Sequence, residues 1–377
     1  MKKKNYLFIL CLCLGLNTFL LTAKNKKVMV LNPEKIATDY SGKDRKFTGI
    51  SSIAATNDGR LWVTWYAGIS PSEDKHNYVV LASSTDDGVT WKEVLVVDPD
   101  GEGEIRAFDP QIWHAPDNTL WLFWAQTIGH NGIISELWAS KAIALDNEDL
   151  SWSEPTKLCK GIMMGKPTVL LDGTWMLPIS TWRNTDNSAK VVVSSNKGKT
   201  WSVLGACHVP EGLREYDEHL IVEKKDGILW MLIRTNCGMG ESYSADKGKT
   251  WSEFEISDIQ HPSSRFFVGR LASGNLLLVK HGPMLKATGR SHLMAFISKD
   301  DGDTWSKGLL IDERPGISYP DVQQRGEVIY LTYDYNRTTN QQIFMTSFTE
   351  EDILSDKYDE KLYELFTRRK VVSKGGK

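Results

Sequence analysis

The 377-residue chain has little excess charge, few cysteines and none of the short motifs typical of metal or nucleotide sites. Its 45 Lys and Arg against 48 Asp and Glu give a formal net charge of −3, so no basic field is present to neutralise nucleic-acid phosphates. The sequence contains no glycine-rich phosphate loop, His-Glu-x-x-His or Cys-x-x-Cys. We therefore expect no nucleic-acid partner, no metal and no cofactor.

The cysteines do not form a disulfide framework either. Cys11 and Cys13 lie in the apolar N-terminal run, which leaves Cys159, Cys207 and Cys237. Three thiols allow one disulfide at most, and their spacing fits no metal site. We interpret them as structural thiols, since a chain of this length builds a core without cross-links.

The first 23 residues have the pattern of an export signal. Lysines at 2–4 precede an apolar run over 6–21, and the small residue Ala23 follows. We predict a signal peptide over 1–23 and an exported protein, whether periplasmic, cell-surface or extracellular. Leu21 fits the cleavage pattern imperfectly, so an uncleaved N-terminal membrane anchor is the alternative.

Two repeats alternate along the rest of the chain. The first is a tight turn followed by an apolar strand, and its six copies begin at Asp58, Asp117, Asp172, Asp226, Ser273 and Arg325. The second is Ser-x-Asp-x-Gly-x-Thr-Trp, which begins at Ser84, Ser244, Ser298 and, with Asn in the Asp place, Ser194. In this turn the Asp bonds backbone N–H groups, Gly takes the left-handed conformation and Trp packs beneath.

A period near 50 residues with four strands per period is typical of a β-propeller. Each small sheet cannot bury both faces alone, so neighbouring sheets stack around an axis. We predict an all-β, six-bladed propeller that forms a single domain over 24–377. The acidic segment 350–366 is expected to form a short helix or an outer strand.

The Ser-x-Asp-x-Gly-x-Thr-Trp turns, which we regard as structural, resemble the Asp-boxes of the sialidase (neuraminidase) superfamily over about residues 46–350. The resemblance implies a six-bladed propeller that acts as a monomeric exo-glycosidase. It would release terminal sialic acid or a related acidic sugar from a glycan, with retention of anomeric configuration and without a cofactor.

Charged residues precede most of the repeated turns, where inner strands face the central funnel. We name four of them as candidate substrate-binding residues: Arg106, Asp109, Lys166 and Arg265. Charge is rare in a sheet core, so its recurrence indicates a site. A solvated rim of strand ends is the alternative.

The resemblance implies three catalytic residues. Asp74 matches the acid/base that protonates the leaving oxygen and then deprotonates water, although it has the alternative of a solvated loop charge. Tyr319 matches the nucleophile, because a phenol avoids the repulsion that a carboxylate would meet from an acidic sugar. A buried hydroxyl that caps a strand is its alternative. Glu218 matches the base that activates the phenol.

Sialidases hold the substrate carboxylate with three arginines, because a guanidinium binds a carboxylate through two parallel hydrogen bonds. Arg234 and Arg290 match two of them, whereas Gly49 stands in the place of the third. We expect a cation from another blade to substitute, namely Arg106, Lys166 or Arg265. Otherwise the substrate differs and is a uronic acid, another ulosonic acid or a neutral sugar with an acidic aglycone.

Tryptophans and histidines add weaker signals. Five tryptophans are candidate stacking surfaces for a sugar ring, although most tryptophans in blades pack: Trp65, Trp113, Trp124, Trp138 and Trp182. We expect packing or hydrogen-bonding roles for His114, His130 and His219. Two other functions stay open, a hydrolase or lyase of a uronide or rhamnoside and a non-catalytic glycan-binding propeller. The co-occurrence of Asp74, Tyr319 and Glu218 favours catalysis.

Overall fold

The computed structural model describes residues 29–31, 40–101, 103–130, 134–143, 150–163, 165–355 and 364–376. Six antiparallel sheets form the blades of a β-propeller, which confirms the predicted all-β fold. The predicted signal peptide lies outside the described residues. Within the described ranges, no helix has the length and apolar character needed to cross a membrane.

The first three blades follow one another along the chain. Blade one contains β1 (Met29–Leu31), β2 (Phe47–Ala55), β3 (Leu61–Gly68), β4 (Asn77–Ser84) and β5 (Lys92–Asp98). Blade two contains β6 (Ile105–His114), β7 (Leu120–Ile128), β8 (Glu136–Ile143), β9 (Ser151–Trp152) and β10 (Thr156–Lys160). Blade three contains β11 (Ile162–Met163), β12 (Thr168–Val169), β13 (Trp175–Ser180), β14 (Ala189–Ser194) and β15 (Ser202–Cys207).

The last three blades are sheets of four strands. Blade four contains β16 (His219–Glu223), β17 (Leu229–Thr235), β18 (Gly238–Ser244) and β19 (Glu255–Ile256). Blade five contains β20 (Phe267–Arg270), β21 (Leu276–His281), β22 (Leu293–Ser298) and β23 (Leu309–Asp312). Blade six contains β24 (Ile317–Arg325), β25 (Val328–Tyr335), β26 (Gln342–Thr349) and β27 (Lys370–Lys374).

The C-terminal segment 350–366 begins with the predicted short helix, and the outer strand of the blade comes after this segment. A short helix, α1 (Glu350–Leu354), starts at a capping box in which Thr349 accepts from the backbone N–H of Asp352. Strand β27 then pairs with β26 as the outer strand of blade six.

The repeated turns are structural, as their chemistry predicts. In the first Asp-box, Asp86 Oδ1 accepts from the backbone N–H of Thr90 at 2.9 Å, and Ser84 Oγ accepts from that of Gly88 at 2.8 Å. Gly88 has φ of +82°, and the Trp91 indole donates to its carbonyl at 3.1 Å. The turn itself therefore occupies the polar groups of the motif.

Most of the candidate tryptophans belong to the core. Trp65 and Trp124 are fully buried, Trp113 is nearly so, and Trp138 packs against a core cluster. The cysteines predicted as structural, Cys159, Cys207 and Cys237, are free thiols in the described part of the chain.

Three inner strands share an irregularity that shapes the site. The pairing register shifts within β2 between residues 49 and 52, within β6 between 108 and 111, and within β24 between 318 and 321. Each bulge contains a residue with positive φ: Ile50 (56°), Asp109 (45°) and Tyr319 (55°). In a regular strand, successive side chains point to opposite faces of the sheet, and a bulge turns one side chain away from that pattern. All three redirected side chains line the same cavity.

Candidate active site

A cavity of about 360 Å³ lies where the inner strands converge. Five of the nine predicted site residues line it: Asp109, Glu218, Arg234, Arg290 and Tyr319. The other four, Asp74, Arg106, Lys166 and Arg265, do not line it. Strands of different blades thus bring together a phenol, carboxyls and guanidiniums that are far apart in the sequence.

A single guanidinium connects Tyr319 and Glu218. Arg234 Nη1 donates to Glu218 Oε2 at 2.8 Å and to the Tyr319 hydroxyl at 3.1 Å. All three side chains are buried. The phenol oxygen and the carboxylate therefore contact the same guanidinium nitrogen, and all three side chains line the cavity.

Glu218 is held in its ionised form. Burial opposes its charge, but the guanidiniums of Arg234 and Arg265 outweigh burial and lower the pKa of Glu218 to about 2. Arg265 Nη2 lies 3.3 Å from Glu218 Oε1. A carboxylate this stable is a weak base, and its first effect is to hold the cations in place.

Guanidiniums also surround the Tyr319 ring. The Cζ atoms of Arg337, Arg265 and Arg290 lie 4.5, 4.8 and 5.5 Å from the ring centroid. Together with Arg234 at the hydroxyl, they form a strongly cationic surround. Such a site favours an anionic ligand.

Arg337 fills the space beside Gly49, and the sequence analysis did not name it. A Cβ at position 49 would overlap the Cγ and Cδ atoms of Arg337. Gly49 has no left-handed φ, so this close approach accounts for the glycine. Arg337 follows β25 of blade six, and its Nε lies 3.3 Å from Asp334 Oδ2. Burial opposes its charge, but Asp334 raises the pKa of Arg337 above its ordinary value.

The cations expected to replace the absent arginine lie elsewhere. Arg265 is buried between Glu218 and Asp109, whose Oδ2 is 3.7 Å from Arg265 Nη2. Lys166 Nζ donates to the Asp321 carboxylate and to the Val322 carbonyl. The same carboxylate accepts from Ser52 Oγ at 2.7 Å, so this network ties blades three, six and one together. Both cations are buried counter-ions, and neither lines the cavity.

Arg106 is also a buried cation with partners inside the protein. It is buried over the Phe108 ring, 4.0 Å from the centroid, and donates to Asn77 Oδ1 at 3.2 Å. Its Nη1 also lies 3.6 Å from Glu73 Oε2. Arg106 therefore supports Glu73 from below and does not itself line the cavity.

Glu73, and not Asp74, faces the cavity. The Asp74 carboxylate accepts from Ser70 and Ser72 and from the backbone N–H of His76. Although burial acts in the opposite direction, these hydrogen bonds lower the pKa of Asp74. A general acid needs a carboxyl that holds its proton near the reaction. The acid was predicted on this loop, and Glu73 lies on the same loop next to Asp74. The geometry therefore favours Glu73 over Asp74 as the acid.

Asp109 is the one cavity carboxyl with a raised pKa. Burial raises the pKa of Asp109 to about 6, although Arg265 acts in the opposite direction. Its Oδ1 has no hydrogen-bond partner among the described residues. A buried polar atom without a partner is costly unless a ligand satisfies it. Its position agrees with the predicted substrate-binding role.

Asp109→Asn is expected to raise the free energy of unfolding relative to wild type, and this difference should grow as pH rises. Because the pKa is about 6 in the fold against an ordinary 3.8, the folded protein keeps this proton to higher pH than the unfolded chain does. Wild-type stability therefore falls across that interval, by about 3 kcal/mol in total. Asparagine does not ionise and avoids this loss. Urea unfolding of both proteins at about pH 4 and about pH 7.5 measures the difference, and an equal difference at both would contradict the prediction.

An aromatic wall completes the cavity. Trp182 and Tyr216 meet edge to face with centroids 5.5 Å apart, and both line the cavity. Trp182 is the one predicted stacking tryptophan found there. His219, which is buried, contacts the carbonyls of Asp217 and Lys190, and His114 contacts Asn118, in agreement with the predicted bonding roles.

Comparison with known families agrees with this geometry. The BNR repeat-like domain matches residues 59–331, most of the chain. The chain belongs to the BNR repeat-like family. This membership confirms the resemblance predicted from the Asp-boxes.

Similar proteins of this fold include sialidases. A sialidase of Bacteroides fragilis (strain YCH46) is 26% identical over an alignment of 312 residues, and the match covers 72% of this chain and 56% of that protein. The chain thus spans little more than half of that relative. The intramolecular trans-sialidase of Ruminococcus gnavus, solved with oseltamivir carboxylate, superposes with a TM-score of 0.65 at 14% identity, covering 84% of this chain and 97% of that one. A protein of unknown function from Dyadobacter fermentans DSM 18053 superposes with a TM-score of 0.62 at 17% identity. The match covers 83% of this chain and 95% of that one.

Proposed function

We propose that this protein is an exported exo-glycosidase that releases a terminal sialic acid or a related acidic sugar with retention of configuration. The observation that carries the proposal is the contact of one Arg234 nitrogen with both the Tyr319 hydroxyl and Glu218, inside a cluster of guanidiniums. Similarity to a Bacteroides fragilis sialidase supports the same reaction class. Export rests on the sequence pattern of residues 1–23.

Three cavity guanidiniums form the proposed anion clamp: Arg234, Arg290 and Arg337. Arg337 takes the role of the arginine that position 49 lacks, and it reaches the cavity from the neighbouring blade. Guanidinium–carboxylate pairs are strong and directional, and they persist at any working pH. The clamp therefore selects a terminal sugar with a carboxylate next to the reacting carbon.

In the proposed reaction, Tyr319 attacks the anomeric carbon while the bond from that carbon to the leaving oxygen breaks. Glu218 accepts the phenolic proton, and Glu73 gives its proton to the leaving oxygen. Water then attacks the same carbon, Glu73 takes the proton of that water, and the tyrosyl oxygen leaves and recovers its proton from Glu218. Two displacements on opposite faces give retention.

Substrate binding prepares both carboxyls for these roles. A substrate carboxylate competes with Glu218 for Arg234, and this raises the pKa of Glu218 from about 2 towards the range of a working base. It competes in the same way with Glu73 for Arg337, whose Nη1 is 3.4 Å from Glu73 Oε1. The anion thus helps to assemble the acid and the base.

The proposal is tested with the full chain on chromogenic aryl glycosides that differ only in the sugar. A sialoside, a uronide and a rhamnoside form the panel, and NMR of the first-formed anomer reports retention. We expect turnover of the sialoside alone. Turnover of only the uronide or rhamnoside would assign a different glycosidase, and glycan binding without any turnover would assign a binding propeller.

A further inference from the structure

A buried ion pair contacts the strands whose bulges form the cavity. Lys166 of blade three donates through Nζ to the Asp321 carboxylate and, at 2.8 Å, to the Val322 carbonyl. Regular pairing of β24 resumes at Asp321, directly after the Tyr319 bulge. Only 9% of Lys166 and 6% of Asp321 is exposed, and neither residue lines the cavity. Any effect of the pair on a ligand must therefore pass through the strands.

The other contacts of this network fall where the bulges of β2 and β6 end. In β2, regular pairing resumes at Ser52, whose hydroxyl donates to Asp321 Oδ2 at 2.7 Å. The backbone N–H of the next residue, Ile53, donates to the same oxygen at 2.8 Å. In β6, pairing resumes at Gln111, and the backbone N–H of Ile112 donates to the Ser52 hydroxyl at 3.2 Å. One network thus holds the end of every bulge that lines the cavity.

The Tyr319 bulge is held at both of its ends. Tyr319 has φ of +55°, and a non-glycine residue keeps this conformation only where the contacts around it hold it. On one side, Ser318 Oγ donates to Asp334 Oδ1 at 2.6 Å within blade six. On the other side, Lys166 bonds to Asp321 from blade three, which stands opposite blade six in a ring of six blades. The second anchor therefore comes from across the propeller axis.

The stability of the fold does not by itself account for this ion pair. Burial lowers the pKa of Lys166, and the charge of Asp321 acts in the opposite direction. Removing two charges from water is costly, and an apolar pair of similar size often gives a protein of equal stability. What the ion pair adds is direction, because its hydrogen bonds fix one arrangement of the strands that meet there.

We infer that Lys166, through its ion pair with Asp321, is a positioning residue for the Tyr319 nucleophile. The inference rests on the proposed glycosidase function. The Tyr319 hydroxyl lies 3.1 Å from Arg234 Nη1, and it must keep this place to reach the anomeric carbon. A displacement of on the order of 1 Å lowers the rate of a positioned reaction about a hundredfold. Without Lys166, the end of the bulge loses its anchor on blade three, and the tyrosine can relax from its positive φ.

The test separates the position of β24 from the balance of buried charge. Lys166→Met leaves the Asp321 carboxylate without its counter-ion, whereas Lys166→Met/Asp321→Asn is neutral and keeps an oxygen that accepts from Ser52 and Ile53. We expect the double variant to regain most of the stability to urea that the single variant loses. Its kcat on an aryl sialoside should nevertheless stay about 10- to 100-fold below wild type, with KM changed less than about threefold. Recovery of kcat together with stability would overturn the inference, because Lys166 would then only balance a charge.

Arg45→Met is the matched control for removal of a buried cation. Arg45 is fully buried, pairs with Glu93 and does not line the cavity. We expect this variant to lose stability and to keep the kcat of the wild type. A fall in kcat equal to that of Lys166→Met would overturn the inference, because any loosening of the blades would then have the same effect.

Crystal structures of the wild type and the double variant test the inference without any turnover. We expect the Tyr319 hydroxyl of the double variant to move away from Arg234 Nη1 by on the order of 1 Å. That displacement supports the positioning role even if no glycoside of the panel is hydrolysed. An unmoved Tyr319 overturns the positioning role and leaves the proposed function intact.

Discussion

Tyr319→Phe is expected to lower kcat on an aryl sialoside by on the order of a thousandfold or more, because it removes the nucleophilic oxygen. The ring remains, and with it the cation–ring contacts of Arg337 at 4.5 Å and Arg265 at 4.8 Å. The only hydrogen bond lost in the described site is that from Arg234 Nη1. Affinity for sialic acid, measured by titration, should therefore change less than about tenfold. Turnover within about tenfold of wild type would exclude Tyr319 as the nucleophile.

Variants of the neighbouring acids separate the two chemical roles. Glu73→Gln is expected to leave kcat/KM on an aryl sialoside with a good leaving group nearly unchanged, because that ratio reports the first displacement and not the later attack of water. On sialyllactose, whose leaving oxygen needs a proton, kcat/KM should fall about a hundredfold or more. Asp74→Asn is the matched control, because the Asp74 carboxyl is bonded to Ser72 and to the His76 amide outside the cavity. If Asp74→Asn shows the selective loss instead, the acid is Asp74 and the loop closes differently around substrate.

The fold was predictable because its determinants are local and repeated. Turn glycines such as Gly59, with φ of +92°, mark where one strand ends and the next begins. The Asp-box satisfies its own polar groups within eight residues, as the Asp86–Thr90 contacts show. Repetition at a constant spacing then leaves stacking around an axis as the way to bury both faces of every sheet. Neither step depends on a distant contact.

The sequence was sufficient for those site residues whose side-chain direction follows from their position along a strand. Glu218 and Arg234 belong to neighbouring segments of blade four, and their pairing follows from strand register. The bulge that turns Tyr319 into the cavity, by contrast, depends on how β24 pairs with β25. Sequence patterns do not encode such a register shift. The prediction of Tyr319 therefore came from family resemblance, and the structure supplies the reason for its orientation.

Loop residues and buried counter-ions were not predictable in this way. Glu73 and Asp74 are adjacent, and their directions depend on hydrogen bonds within the loop and on Arg337 from another blade. Lys166 has the sequence signature of a site residue, yet it pairs with Asp321, 155 positions away. Only the folded ring shows which charges neutralise each other. Closure of the ring likewise brings Arg337 of blade six beside Gly49 of blade one.

Arg337→Ala is expected to lower kcat/KM on a sialoside roughly 30- to 160-fold, which corresponds to about 2 to 3 kcal/mol for a charge-assisted contact with the substrate carboxylate. Arg369→Ala is the matched control. Both guanidiniums pair with an aspartate and are similarly buried, with 15% and 13% of the side chain exposed. Arg369 does not line the cavity, so its loss should leave kinetics unchanged. Equal effects of the two variants would show that Arg337 acts through stability alone.

Exchanging the two positions tests whether Arg337 performs the role that position 49 lacks. Gly49→Arg alone should be inactive, because its Cβ and the Arg337 side chain cannot occupy the same space. Adding Arg337→Ala removes that overlap and leaves one arginine beside the cavity, so the double variant should exceed either single variant in kcat/KM. Gly49→Arg would then lower kcat/KM in the wild type but raise it in the Arg337→Ala background. Such a reversal of sign is the signature of direct coupling in a double-mutant cycle. Independent losses that simply multiply would mean that the two positions serve different purposes, and that the clamp holds its anion with Arg234 and Arg290 only.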